Sequence, residues 1–289
     1  MHRATGLLLL AACGSVDSSP FDADARSGVD AGPAGMMTLV ETTWTVQPFT
    51  ETYLCVRRTI GAETWITRIE PIAPLGTHHT VVSLEDGGNP DGVTSCGPAT
   101  GTRMIFGSGV GTGALQLPDG VAVRIAPGQQ VLLNLHLFNT GDAPLTGTSG
   151  VKVQTVIPTS SLVEAEAILG GTMDLTIDPG VSSQFGRCTM PAGSHLFAAG
   201  PHMHKLGIRQ KLSVARTGQV IYNREYSFDS QTMDPVDITF PTSERLDIEC
   251  VYANDTGVVV GWGQSTTAEM CYAILFRYPA TRGFPICLN

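Results

Sequence analysis

The chain alternates apolar and polar residues with a period of two in many short stretches, and it has no long stretch with the period of a helix. In the clearest stretch, residues 131–139, every second residue from Val131 to Leu137 is Val or Leu, while Asn134 and His136 lie on the opposite face. Turn signals such as Pro127-Gly128 separate these stretches. Further strands are predicted at residues 210–215, 220–226, 236–240, 246–252, 258–261 and 269–278.

Short strands that follow one another without helices are typical of antiparallel β-sandwiches. A length of 289 residues is sufficient for two such domains, and Pro158-Thr159-Ser160-Ser161 is the best candidate for the boundary between them. We therefore predict an all-β fold of two antiparallel, jelly-roll-like β-sandwich domains, residues 39–160 and 161–289. Residues 161–169 form either a short helix or a linker strand in this scheme.

The N-terminus predicts an exported protein. Arg3 and an apolar run at residues 7–10 precede Leu10-Ala11-Ala12-Cys13-Gly14, which has the form of a bacterial lipobox. Residues 1–13 are thus predicted to be a lipoprotein signal peptide with Cys13 as the lipidated residue, and residues 14–38 a flexible tether. Because Gly14 and not Asp follows the cysteine, the outer membrane of the bacterial cell envelope is favoured. A plain secretory signal, with a secreted or periplasmic product, is the alternative.

The charge and cysteine content restrict the partners and the compartment. The net charge is −9 and Lys and Arg form no cluster, which excludes nucleic acid as a partner because phosphate binding requires a basic surface. Contact with a membrane is expected through the lipid anchor only. Beyond Cys13 an even number of cysteines remains, and in an exported chain this predicts disulfides. The cysteine spacing by itself leaves their pairing open.

Two groups of histidines are candidate metal ligands. His202 and His204 are two residues apart, so on a strand they face the same side with backbones roughly 6.5–7 Å apart and can converge on one metal ion. His78 and His79 are adjacent, and neighbours on a regular strand point to opposite faces. They can reach one ion only at a strand end or a bulge, which Gly76 would permit. One surface and one core histidine is the alternative for this pair.

His136 and Met270 require partners before they become candidate ligands. His136 shares a strand face with Asn134, and it would need ligands such as His78 and His79 from another strand; a half-buried structural histidine is the alternative. A methionine on a strand is most often part of the core. A thioether close to imidazoles, however, points to copper, since soft sulfur suits Cu(I) and serves zinc poorly.

These motifs, in this order, resemble the copper type II ascorbate-dependent monooxygenases from about Trp44 to Cys287. The family's first copper site has an adjacent histidine pair and a later strand histidine two positions after a polar residue. The matching residues here are His78, His79 and His136, with Asn134 as the polar residue. The second site has a His-x-His pair and the methionine of a Glu-Met-Cys segment. The matching residues are His202, His204 and Met270. His195 matches a further histidine of the family that is not a ligand.

The resemblance implies two coppers per chain, the first for electron delivery and the second for O2 binding beside the substrate. His202, His204 and Met270 would then be the catalytic set. The implied reaction is hydroxylation of a C–H bond of a small organic substrate with O2 and ascorbate or an equivalent electron donor. The implied disulfides are Cys55–Cys96, Cys188–Cys287 and Cys250–Cys271. The alternative function is a non-catalytic copper-binding or copper-storage envelope lipoprotein.

One departure from the resemblance concerns the substrate. Peptide-hydroxylating members hold the substrate carboxylate with an Arg two residues before the His-x-His pair, and Gly200 stands at that position here. C-terminal glycine peptides are therefore not the expected substrates. Tyr272 and Ile274, two and four residues after Met270, are the candidates for the substrate pocket. A cupredoxin-like electron carrier would need a thiolate ligand, but Cys271 is assigned to a disulfide.

Overall fold

A computed structural model of the chain describes residues 35–98, 101–283 and 286–288. The predicted signal peptide, the lipidation site Cys13 and the predicted tether up to residue 34 lie outside these residues. The last residues assigned to the tether, 36–38, already belong to the first strand. Within the described ranges there is no helix long and apolar enough to cross a membrane.

All regular elements of the described residues are strands, as the period-two pattern predicts. The first half consists of β1 (Met36–Val46), β2 (Thr50–Thr59), β3 (Thr64–Ile72), β4 (Thr77–Glu85), β5 (Gly92–Ser95), β6 (Arg103–Gly109), β7 (Leu115–Gln116), β8 (Val121–Ile125), β9 (Gln130–Asn139), β10 (Leu145–Val156) and β11 (Val163–Glu164). The second half consists of β12 (Glu166–Thr172), β13 (Thr176–Ile177), β14 (Gly180–Met190), β15 (Ser194–His202), β16 (Gly207–Val214), β17 (Val220–Glu225), β18 (Asp234–Phe240), β19 (Glu244–Asn254), β20 (Val260–Gly261), β21 (Cys271–Tyr278) and β22 (Ile286–Leu288).

The first half is a sandwich of two sheets. One has the order β1-β10-β3-β8-β11, with β7 paired to β3, and the other has the order β5-β2-β9-β4-β6. The alternation along strand β9 shows how its sheet packs against the other sheet. Leu133 and Leu135 point into the core between the sheets and are fully buried. The alternate residues Asn134 and His136 are also buried, but they are polar and point to the opposite face. The predicted alternation of this strand is confirmed.

Nine strands of the second half form one sheet with the path β17-β16-β19-β14-β12-β21-β15-β18, in which β22 pairs with β12. The other two, β13 and β20, pair with each other in a separate sheet. Tyr222 on one edge strand and Phe240 on the other belong to the same buried core. That core therefore extends across the sheet from one edge strand to the other. Pairing between the named strands is antiparallel, apart from β11 with β8 and β12 with β22.

The chain crosses from the first half to the second near Ala165. Strand β11 pairs with β8 of the first half, and β12 pairs with β21 of the second. The segment is therefore two short strands and not a helix, and the crossing lies a few residues after the predicted boundary at residue 160. The two halves pack directly, since Phe197 and Phe276 of the second half belong to the core of the first.

Candidate metal centres

The adjacent histidines His78 and His79 lie at the irregular start of strand β4. The register of β4 against β9 shifts between Thr77 and His79, which is the kind of bulge that lets neighbouring side chains turn toward one point. Gly76 precedes them with φ +96°, and a Cβ there would lie 2.8 Å from the ring of Trp44. Any larger residue would disturb the turn that delivers both histidines.

His136 completes the first cluster from the neighbouring strand. It is paired with His79 across β4 and β9. The Nδ1 atom of His79 lies 3.1 Å from Nδ1 of His78 and 3.2 Å from Nδ1 of His136. One ligand atom from each of the three residues lies within 4.8 Å of the other two. The structure thus brings together all three histidines that the sequence singled out for the first site.

The surroundings of this cluster hold the rings in place. The ring of His136 stacks on Tyr53, with centroids 4.3 Å apart and planes 3° from parallel. Its Nε2 atom lies 2.5 Å from Oε1 of Glu51. Such a carboxylate behind a histidine orients the ring and fixes which nitrogen carries the proton. The ring of His78 packs against Phe228 of the second half, with centroids 4.3 Å apart.

Electrostatics keep the three imidazoles neutral. Burial, helped by the nearby imidazole of His136, lowers the pKa of His78 to about 4. Burial also holds the pKa of His79 well below its usual range, and it lowers the pKa of His136 although Glu51 opposes the shift. Neutral rings carry a lone pair, so three Nδ1 atoms that face one another suit a metal ion that prefers imidazole ligands.

The second cluster forms where β15 ends beside the start of β21. His202 is the last residue of β15 and pairs with Tyr272 of β21, while His204 follows two residues later. Met270 immediately precedes β21, so it lies just before the strand and not within it as predicted. His202, His204 and Met270 all line the same cavity.

Hydrogen bonds leave one nitrogen of each ring in the second cluster free for a ligand. Nδ1 of His202 lies 3.1 Å from Oε1 of Gln231, and Nδ1 of His204 lies 2.8 Å from the carbonyl oxygen of Ala268. Since both partners are acceptors, both Nδ1 atoms carry the proton and both Nε2 atoms keep a lone pair. Burial lowers the pKa of His202 to about 4, and it also lowers the pKa of His204.

Glu269 is a residue whose role the sequence did not reveal. Its buried carboxylate accepts hydrogen bonds from the backbone N–H groups of His204 at 2.8 Å, Leu206 at 2.7 Å and Met270 at 3.3 Å. Burial raises the pKa of this carboxyl group to about 7. Glu269 therefore ties the His-x-His segment to the methionine segment. Its position next to Met270 in the Glu-Met-Cys segment was the available signal.

The segment that carries Met270 is held from two further sides. The hydroxyl of Tyr252 donates to the carbonyl oxygen of Met270 at 2.7 Å. The next residue, Cys271, forms a buried disulfide with Cys250 on β19. The other two disulfides are Cys55–Cys96 and Cys188–Cys287, so the structure has the three pairs that the resemblance implies.

Removal of the Cys250–Cys271 disulfide by a double Ala substitution is expected to lower the free energy of unfolding by about 2–5 kcal/mol and to weaken metal binding at the second cluster. The metal effect is expected because the disulfide lies one residue from Met270. Denaturant unfolding and metal content per chain measure the two effects. The matched control removes Cys188–Cys287, which should cost stability but leave the second cluster loaded. A free Cys271 thiol in non-reducing peptide mapping would contradict the assignment.

The two clusters open on one cavity of about 310 Å³ between the halves. His79 reaches it from the first cluster, and Tyr272 and Ile274, the predicted pocket residues, also line it. The segment between β17 and β18 bridges the clusters, since Phe228 packs on His78 and its ring centroid lies 6.3 Å from that of His204. A substrate in this cavity would be within reach of both sets of ligands.

His195 lies at the opposite end of β15 from the second cluster. Its Nδ1 atom lies 2.9 Å from Oγ1 of Thr239, and its Nε2 atom lies 2.9 Å from Oδ1 of Asp237. Its ring stacks on Tyr278. These contacts give it partners away from the cavity, in agreement with its interpretation as a histidine that is not a ligand.

Comparisons with known proteins support one family. Residues 165–288 match the family model described as copper type II ascorbate-dependent monooxygenase, C-terminal domain. A comparison with curated proteins gave no significant match. The matched residues begin where the chain enters the second half, and they contain His202, His204 and Met270. The second half of the chain is thus similar to the C-terminal domain of the copper type II ascorbate-dependent monooxygenases.

Proposed function

We propose that the chain is a copper-dependent monooxygenase that hydroxylates a C–H bond of a small organic substrate, with O2 as the oxidant and ascorbate or a similar donor as the reductant. The observation that supports this most is that two sets of ligands, one purely imidazole and one with a thioether, open on a single cavity. A copper-storage protein would not need a substrate-sized space between its sites.

The first set would hold one copper through the Nδ1 atoms of His78, His79 and His136. Imidazole nitrogens suit copper, and burial keeps these rings unprotonated. Glu51 and Tyr53 hold the ring of His136, and this rigidity would limit rearrangement when the oxidation state changes. We assign electron delivery to this set, because only His79 of the three lines the cavity.

The second set would hold the other copper through the Nε2 atoms of His202 and His204 and the sulfur of Met270. Gln231 and the carbonyl of Ala268 fix the rings, and Glu269 fixes the backbone of both ligand segments. When bound here, copper would supply one-electron redox chemistry and the activation of O2. A thioether favours Cu(I), the state that reacts with O2.

The overall reaction balances with two electrons from the reductant. A C–H bond breaks, a C–OH bond forms with one oxygen atom of O2, and the other oxygen atom leaves as water with two protons. An ascorbate-like donor supplies the two electrons. The cavity residues would hold the substrate beside the second set of ligands and restrict the access of water.

Oxygen uptake by the copper-loaded chain tests the proposal. In the presence of ascorbate, O2 consumption should rise when an organic substrate is added, and label from ¹⁸O2 should appear in the hydroxylated product. Omission of copper or of ascorbate should return the rate to background. Tight binding of two coppers with no substrate-stimulated uptake, over a broad screen of C–H compounds, would instead support the copper-storage alternative.

We further propose export and lipid anchoring through Cys13, with the protein held at the outer membrane. The lipobox and the three disulfides support an oxidising compartment outside the cytoplasm. A Cys13→Ser variant should move from the membrane fraction to the soluble fraction, because it lacks the lipidated thiol. Fractionation followed by immunoblotting measures this, and a variant that stays fully membrane-bound would contradict the anchor.

A further inference from the structure

We propose, on the basis of the function above, that the cavity selects an uncharged substrate with an apolar body and one neutral hydrogen-bond acceptor, which the hydroxyl group of Tyr272 binds. This would make Tyr272 a residue that determines specificity. The argument rests on the composition of the cavity wall, on the packing around Gly200 and on the hydrogen bonds of Tyr272.

The cavity wall lacks a charged side chain in the part of the chain that the structure describes. Among the described residues that line the cavity, none is Asp, Glu, Lys or Arg. Much of the wall is apolar, with Met104, Leu169, Met233 and Ile274 as examples. Away from the proposed copper ligands, an ionised carboxylate or ammonium group would lose its hydration there with no charged side chain to pair with, which costs far more than the transfer of a neutral group. Flexible methionine side chains can adapt to apolar bodies of different shape.

The position where related enzymes carry a carboxylate-binding Arg is closed by packing. A Cβ added at Gly200 would lie 2.5 Å from Sδ of Met233 and 2.8 Å from the carbonyl oxygen of Thr232. The space that a longer side chain would need is thus filled by Met233, which itself lines the cavity. Met233 therefore presents an apolar surface at the place where those enzymes have the positively charged Arg.

Tyr272 provides one directed polar contact in this apolar setting. The side chain is 5% exposed and lines the cavity. Its hydroxyl oxygen accepts a hydrogen bond from Nε1 of Trp262 at 2.7 Å. That bond uses the oxygen as an acceptor and leaves the hydroxyl proton to be donated, and no described residue accepts it. A ketone, ether, amide or alcohol oxygen of a ligand would fill this place.

Binding of three compounds of similar size to the Cu(I)-loaded protein, in the absence of O2, tests the inference by calorimetry, because Cu(I) has little affinity for a carboxylate. The compounds are 4-phenyl-2-butanone, its charged counterpart 3-phenylpropanoate, and n-butylbenzene, which has no acceptor. The ketone should bind at least about tenfold more tightly than the carboxylate. Tyr272→Phe should weaken ketone binding by about three- to tenfold and leave n-butylbenzene within about twofold.

Tyr278→Phe is the matched control, because it makes the same change on the same strand but at a residue that stacks on His195 away from the cavity. It should leave the binding of all three compounds unchanged. Equal or tighter binding of the carboxylate, or binding of none of the three, would overturn the inference. So would equal losses for ketone and hydrocarbon in Tyr272→Phe.

These measurements do not depend on turnover. If the ketone binds as expected and no compound stimulates O2 uptake, the proposed function fails while the specificity of the cavity stands. If Tyr272→Phe does not fold, the comparison of ketone, carboxylate and hydrocarbon on the native chain still decides whether the cavity excludes charge.

Discussion

Replacement of Met270 by leucine should abolish C–H oxidation while the protein still folds and retains copper at the first cluster. Leucine has a similar volume, and such an exchange in a core usually costs less than about 1.5 kcal/mol. It removes the thioether, however, so the second cluster would keep only His202 and His204. Mutation of a residue that only supports a metal ligand typically costs about 10–100-fold in metal affinity or activity. Loss of a direct ligand should therefore cost at least about 100-fold in activity.

The control for this variant is Met190→Leu, the same substitution in the buried core of the second half. It should keep both copper content and turnover. X-ray absorption of the Cu(I) protein should show a sulfur neighbour that is lost only in Met270→Leu. If turnover and the spectrum of Met270→Leu match those of the native chain, Met270 is a packing residue and the second site is assigned wrongly.

Replacement of His136 by alanine is expected to reduce copper from two ions per chain to one. His136 supplies one of three Nδ1 atoms of the first cluster, and its contacts with Tyr53 and Glu51 show that this ring is held in a defined orientation. Its loss leaves His78 and His79, which are too few to retain copper tightly. The second cluster shares no ligand with the first, so it should stay loaded.

Metal analysis after dialysis measures this effect, and the Cu(II) resonance spectrum should lose only one of two components. His195→Ala is the matched control, since His195 lies at the far end of β15 with partners of its own. It should keep both coppers. A native chain that holds a single copper, or that takes up zinc in preference to copper, would contradict the two-site interpretation.

The His pair at the start of β4 shows how far sequence reasoning reached. Adjacent histidines cannot share a ligand point on a regular strand, so the pattern required a strand end or a bulge. The structure has that irregularity, with a register shift between Thr77 and His79. The strand alternation of β9 was similarly visible, because a period of two follows directly from the geometry of an extended backbone.

Other features depended on contacts between residues far apart in the chain. The carboxylate of Glu269 accepts a hydrogen bond from the backbone N–H of His204, 65 residues away. The Glu-Met-Cys segment marks Glu269 in the sequence, but it does not identify this partner. The crossing between halves lies near Ala165 and not at residue 160, because the pairing of β11 with β8 draws residues 163–164 into the first half.

The local order of apolar, polar and turn residues was enough to establish an all-β chain and to single out its histidines, since strand period and ligand chemistry are properties of neighbouring residues. The shape and charge of the cavity were decided only by the tertiary structure. Met233 fills the space beside Gly200, and Nε1 of Trp262 donates a hydrogen bond to the hydroxyl oxygen of Tyr272. Both depend on how separate strands and loops pack, and packing is set by three-dimensional contacts that spacing along the chain does not specify.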